Sequence, residues 1–237
     1  MRAQKPFYIE FIGNPMYNVL DIERIAEVAH ADGVPQLVDN TFEAGGYLIR
    51  PIDHGADIVL HSAPSGLAIM ERRWEEHAKR FPELVQPHPG YHGLCFVEAF
   101  GNVAYAYAVR TQAFRDVGGN ASPFAAFLLI QGLETLSLRM ERHTQNAFAL
   151  ANYLNNHPRV QWVSYPDIPS HPSYDLAKQY LKKDFGAVFS FIAKGGPDKS
   201  RKVVDSLQLA NQLANVGDAK TLVITPCLYH AFAVKRF

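Results

Sequence analysis

The chain has 237 residues, of which 48% are hydrophobic, 12% aromatic and 19% charged; this composition excludes disorder as the main state and supports one large or two modest folded domains. Its 23 basic and 23 acidic residues cancel, so charge gives no case for nucleic acid or an anionic membrane as partner. The longest apolar runs, Val103 to Val109 and Phe124 to Ile130, are far shorter than the roughly 18–20 residues of a bilayer-spanning helix, and Cys95 and Cys227 are too few for a disulfide scaffold or a zinc site.

Met1 to Pro6 leads straight into Phe7-Tyr8-Ile9-Glu10-Phe11 without the long apolar stretch of a secretory signal, so a soluble, cytoplasmic protein is expected. Phe7 to Ile12 predicts a short strand, stopped by the turn signal Gly13-Asn14-Pro15. Asp21 is placed to cap a helix whose stripe is Ile22, Ile25, Ala26, Val28 and Ala29 and which ends at Asp32-Gly33. Val34 to Val38 and Asp57 to Leu60 predict two further strands, the second ending at His61-Ser62-Ala63. Nearly continuous apolar strands joined through helices imply a parallel sheet covered on both faces.

Ser122-Pro123 predicts a helix start, with the serine as cap and the proline in the first turn, where its missing N–H costs nothing. Leu128, Leu129, Leu133, Leu136 and Met140 recur at helical spacing, so one long helix is expected, ending before Asn155-Asn156-His157-Pro158. A second αβ unit follows, with strands Val160 to Ser164 and Ala187 to Ile192 and a helix Lys199 to Leu209. The expected domains are therefore 1–133 and 134–237.

Asn14, Asp39 and Ser62 each follow the carboxyl end of one of the first three predicted strands, the edge at which open parallel sheets bind ligands. Asp39 closes a buried strand, where an unpaired carboxylate is costly. It has an ordinary role open to it, capping a turn through Asn40-Thr41. A dinucleotide fold would also put an acidic residue after its second strand, although Ile12-Gly13-Asn14-Pro15 lacks the spaced glycines of a pyrophosphate loop. A third role is to face the ring nitrogen of pyridoxal phosphate (PLP) and keep it protonated, which makes the ring an electron sink.

Three blocks carry a resemblance: Ile9 to Pro15, Gly33 to Phe42 and Gly55 to Ala63. Further blocks, Phe81-Pro82-Glu83-Leu84, Gly90-Tyr91-His92-Gly93, Gln131 to His143 and Leu213 to Leu222, extend it to about Pro226. Together they resemble the PLP-dependent enzymes of cysteine and methionine metabolism, and among these the O-acetylhomoserine sulfhydrylases. The resemblance implies an α/β chain with part of the type I, aspartate aminotransferase-like fold, and the start of a smaller C-terminal domain. It implies PLP as cofactor, with Asp39 at the pyridinium nitrogen, Asn14 near the phenolic oxygen and Ser62 at the phosphate. It also implies, for intact relatives, a small-molecule reaction in which sulfide displaces acetate from O-acetylhomoserine to give homocysteine.

Where the family reads Ser-Ala-Thr-Lys, this chain reads Ser62-Ala63-Pro64-Ser65. Ser65 stands at the lysine that tethers the cofactor and moves protons on the substrate, and a hydroxyl cannot replace that amine. The family's next glycine-rich segment and strand are replaced by a short passage from Gly66 to Glu71. Lys79, Lys178, Lys182 and Lys183 read as solvated surface. The family's ring-stacking tyrosine and substrate-clamping arginine fall outside the matched residues, and Arg236 does not fit the arginine's motif. No catalytic residue is therefore assigned; weak, non-covalent PLP binding and little or no turnover are expected. Homo- or hetero-oligomers are expected partners, and the alternatives are a non-catalytic remnant or subunit, or an incomplete gene model of an active enzyme. His88 and His92 flank Pro89-Gly90, which forbids a metal-binding helix there, and His143 reads as a core or interface residue.

Overall fold

The computed structural model describes residues 6–62, 67–70, 81–119 and 122–225. The chain divides into two compact units, the first built from Met1–Ile9, Asp21–Asn40 and Arg50–Thr135, the second from Glu10–Leu20, Thr41–Ile49 and Leu136–Phe237. No helix among the described residues is long and apolar enough to cross a membrane.

The first unit centres on a four-stranded sheet in the order β1 (Phe7–Glu10), β2 (Gln36–Asp39), β3 (Ile58–His61) and β4 (Leu67–Met70). Helix α1 (Ile22–Ala31) precedes β2, and its cap is the expected one, Asp21, whose carboxylate accepts from the Arg24 amide at 3.2 Å. β2 and β3 run parallel, with Leu37, Val38 and Asp39 opposite Ile58, Val59 and Leu60. Their buried side chains, Val38, Ile58 and Val59, explain the continuous apolar reading of these strands.

Two details depart from a wholly parallel, helix-connected sheet. Between β2 and β3 the chain makes a 3₁₀ turn, Pro51–His54, in place of a helix. That turn packs close enough to α1 that a Cβ at Gly55 would lie 2.9 Å from the Ala26 Cβ. β4 runs antiparallel to β3, pairing Ile58 with Met70 and His61 with Leu67, and it lies in the short passage read from sequence as replacing the family's glycine-rich segment and strand.

Four short helices follow: α2 (Pro82–Val85), α3 (Phe96–Phe100), α4 (Ala104–Ala108) and α5 (Arg115–Val117), with a π-helical stretch, Val109–Phe114, before the last. The first three of them close over a small core of Leu84, Cys95, Phe96, Val97, Ala104 and Ala108. His92, in left-handed backbone with φ of 56°, ends the 3₁₀ turn Pro89–Tyr91, so the His88–His92 pair is not on an α-helix. Helix α6 (Pro123–Glu134) starts as expected, the Ser122 hydroxyl accepting from the Ala125 amide at 3.1 Å.

The expected single long helix is two. Thr135, with φ of −106° and ψ of 8°, leaves helical geometry, and α7 (Leu136–Asn155) begins directly after it. Leu128, Leu129 and Leu133 are exposed, and burial starts with Met140, Thr144, Ala147 and Ala151 on α7. Helical spacing alone does not distinguish a stripe facing a core from one facing outward, so the sequence period ran through the break.

In the second unit, α7 packs on an antiparallel pair, β5 (Val160–Ser164) and β6 (Ser190–Ala193), with α8 (Tyr174–Tyr180) between them in sequence. Ala147, Ala151, Val163, Tyr165 and Ile168 form its core, with Phe185, Phe189 and Phe191 against it. Helix α9 (Pro197–Asp205) and a short parallel pair, β7 (Asn211–Gln212) with β8 (Leu222–Val223), complete the described chain.

Candidate functional site

Asp39 is the last residue of β2, a strand with a neighbour on each side. A carboxylate there is held between two strands at the carboxyl edge of the sheet, where the backbone ladder gives way to loops. The side chain is half-buried, and the Tyr8 hydroxyl on β1 donates to its Oδ2 at 2.9 Å. Tyr8 therefore fixes one carboxylate oxygen from the neighbouring strand.

The turn after Asp39 is tied to β3. The amide of fully buried Asn40 donates to the Leu60 carbonyl at 2.8 Å, extending the ladder one step past Asp39. The Asn40 carbonyl lies 2.8 Å from Nδ1 of buried His61. A carbonyl only accepts, so His61 carries its proton on Nδ1. Ser62 follows directly and is exposed. Asp39 and Ser62 thus leave adjacent parallel strands at the same edge of the first unit. Pro64 and Ser65 lie outside the described residues.

Asn14 belongs to the second unit, in a tight hairpin. Ile12 bridges Val19, the Gly13 amide donates to the Asn18 carbonyl at 3.0 Å, and Leu20 donates to Phe11 at 3.1 Å. The Ile12 amide donates to Oε1 of fully buried Glu43 at 3.1 Å, and the Asn14 amide donates to Glu10 Oε2 at 3.3 Å. The Asn14 side chain is exposed. Tyr17, on the same turn, packs edge-on against Phe42 at 5.7 Å; burial pushes its hydroxyl above the usual tyrosine range, against the opposing effect of a hydrogen bond with Ser190.

Tyr8, His61 and Glu43 were not singled out from sequence. Their partners lie 31, 21 and 31 residues away, and no spacing rule links such pairs. Among the described residues no three His, Cys, Asp or Glu side chains converge as a metal site would need.

An α/β chain with an acidic residue at the carboxyl end of an interior strand has the place at which such sheets bind ligands. Residues 2–236 match the family described as Cys/Met metabolism PLP-dependent enzyme, and the chain belongs to that family. It is 67% identical over 234 residues to the homocysteine synthase of Schizosaccharomyces pombe, covering 94% of this chain and 54% of that protein. To the homocysteine/cysteine synthase of Saccharomyces cerevisiae it is 49% identical over 244 residues, covering 94% and 55%. A Campylobacter jejuni crystal structure containing N′-pyridoxyl-lysine-5′-monophosphate superposes with a TM-score of 0.84 at 34% identity, over 93% of this chain and 57% of that one. The O-acetylhomoserine sulfhydrylase of Wolinella succinogenes gives 0.79 at 30% identity, over 94% and 64%. The fold is therefore part of the fold of PLP-dependent sulfhydrylases, and the chain spans about half the length of the curated relatives it matches.

Proposed function

We propose that this chain is a sulfhydrylase-family protein that holds PLP weakly and without a covalent tether, and that turns over little or no O-acetylhomoserine. The observation that carries this reading is Asp39, a half-buried carboxylate at the carboxyl end of an interior strand, steadied by Tyr8. On the first unit the donors suit the group: a carboxylate for a protonated ring nitrogen and the exposed Ser62 hydroxyl for a phosphate oxygen; Asn14, on the second unit, is the residue that the resemblance gives to the phenolic oxygen. When bound, PLP supplies an electron sink for carbanion chemistry. Asp39 would face the ring nitrogen with negative charge and so favour its protonated form, and Asn14 would take the ring's phenolic oxygen, as the resemblance implies. The proton-moving amine of the family has no counterpart, because Ser65 occupies that place in the sequence; a serine hydroxyl is too weak a base for the task.

The test is to titrate the purified chain with PLP, treat it with borohydride, and assay homocysteine from O-acetylhomoserine and sulfide. Saturable uptake, no borohydride-fixed adduct and no turnover are expected, with Asp39→Ala weakening uptake about tenfold or more, the scale of losing one charge-assisted contact. No saturable uptake overturns the cofactor reading; robust turnover overturns the inactivity. The short passage from Ser62 to Glu71 favours a second reading, in which coding sequence is missing between Ala63 and Glu71. A lysine codon in the transcript there restores the family's cofactor-tethering residue. A cytoplasmic location and association between copies belong to the same proposal.

A further inference from the structure

Immediately after Asn14, the carbonyls of Pro15 and Met16 are both taken by side chains from the far end of the chain. Ser190 Oγ on β6 donates to the Pro15 carbonyl at 2.8 Å, across 175 residues of sequence. Ser164 Oγ on β5 donates to the Met16 carbonyl, and His171 Nε2 lies 3.2 Å from that carbonyl and 3.2 Å from Ser164 Oγ. The Ser173 amide donates to His171 Nδ1 at 3.1 Å, so Nδ1 is the acceptor and Nε2 carries the hydrogen that points at Met16. Ser164 and His171 are buried, at 5% and 6% exposure, so these bonds form away from water and fix their geometry.

The turn is gripped on its other sides too, by Glu43 on the Ile12 amide and by the Tyr17 ring and hydroxyl against Phe42 and Ser190. The Asn14 amide side chain is the contrast: it is exposed, and among the described residues it has no hydrogen-bond partner. Loop tips ordinarily give their carbonyls to water. Three side chains from elsewhere in the unit grip two consecutive carbonyls here, next to a side chain left free. That arrangement suits an amide that must meet a ligand in one orientation, because a site is as exact as the shell that supports it.

We propose that Ser164, His171 and Ser190 are positioning residues that lock the Gly13–Asn18 turn and so hold the Asn14 amide in one orientation for the cofactor. This inference rests on the PLP reading above. Its test combines two measurements on the full chain. The first is amide hydrogen exchange of the turn without cofactor: His171→Ala and Ser190→Ala are expected to speed exchange at residues 13–18 about tenfold or more and to leave β2 and β3 unchanged. The second is the dissociation constant of PLP, measured by fluorescence, in a double-mutant cycle. Asn14→Ala, His171→Ala and Ser190→Ala each weaken binding about five- to twentyfold; combining either of the last two with Asn14→Ala adds no further loss, and His171→Gln, which keeps an N–H donor, restores part of it.

Variants that bind as tightly as the parent overturn the proposal, and so does full additivity with Asn14→Ala, since that is the signature of a general structural role. If His171→Ala does not fold, Ser164→Ala and Ser190→Ala, each removing one hydroxyl, are read by the same cycle. If the parent chain takes up no PLP while the turn still exchanges faster in the variants, the cofactor reading and the positioning role both fall, and the clasp alone stands. If the parent binds and the variants bind equally, only the positioning role falls.

Discussion

Asp57 shows how a buried charge is accommodated here. Its Oδ2 accepts from the Gln36 amide at 2.7 Å and meets His30 Nε2 at 2.8 Å, tying the end of α1 to the start of β2 and β3. The His30 side chain is 38% exposed while that of Asp57 is 5%, so removing the carboxylate costs more than removing the imidazole. Asp57→Asn is expected to lower unfolding stability by about 1–3 kcal/mol and His30→Ala by less, in urea titrations at neutral pH. Tyr165 gives a pH-dependent counterpart. Burial, with help from the Asp167 and Asp184 carboxylates, raises its hydroxyl well above the usual tyrosine range. The hydroxyl also donates to the Gly186 carbonyl at 2.9 Å. With the folded value above the unfolded one, its stabilising contribution is complete below pH ~10 and is lost as pH climbs beyond that, because the unfolded chain ionises first. Urea midpoints taken from neutral to alkaline pH are expected to fall past pH ~10. Tyr165→Phe flattens that fall and, by leaving the Gly186 carbonyl unpaired, costs about 1–3 kcal/mol at neutral pH. At this scale the sequence pointed to Asp39, Asn14 and Ser62 by their position after predicted strands, and Asp39 and Ser62 do stand at the ends of β2 and β3. It did not disclose Tyr8, His61, Ser164 or His171, because hydrogen bonds across 7 to 155 residues leave no periodic trace.

Elements with local causes were legible. Asp21 and Ser122 cap the helices they were expected to cap, since a cap needs only a side chain and an amide three residues on. Ser122→Ala is expected to cost about 1 kcal/mol, seen in thermal unfolding. Gly55 has a different local cause, a φ of +93° combined with the close approach of Ala26. Gly55→Ala should cost about 1–3 kcal/mol by pushing α1 off the 3₁₀ turn and straining the backbone; a variant as stable as the parent contradicts that packing. What the sequence hid at this scale depends on distant packing: the break at Thr135 and the antiparallel course of β4. Helix α6 exposes Phe124, Phe127, Leu128, Ile130 and Leu133, although a helix apolar on all sides is normally covered. Copies of this chain are therefore expected to associate as concentration rises. Light scattering should show that trend reduced in Phe124→Asp and Leu133→Asp; a mass constant across concentration in the parent contradicts it.

At the scale of the molecule, neither unit is a continuous stretch. Glu10–Leu20 and Thr41–Ile49 belong with Leu136–Phe237, and they give that unit Phe11, edge-on to Tyr180 at 5.8 Å, as well as Glu43 and the Asn14 hairpin. Residues 136–237 expressed alone are expected to lack cooperative unfolding, because Phe11 and Tyr17, both buried in the whole chain, are missing; a sharp, two-state transition contradicts this. Order along the chain was enough to read β1, β2 and β3 of the first sheet, which are neighbours in sequence. It was not enough to see that two early segments leave that sheet's unit, since membership is decided by contacts and not by adjacency.

The grip on Pro15 and Met16 also sets an order of events during synthesis. The hairpin leaves the ribosome first, and the hydroxyls and imidazole that hold it follow 148 to 175 residues later. At about 5–20 residues per second, the nascent hairpin waits roughly 10–35 s for its clasp. For most of that interval the apolar ring of Phe11 lacks Tyr180, which makes the early chain a client for chaperones.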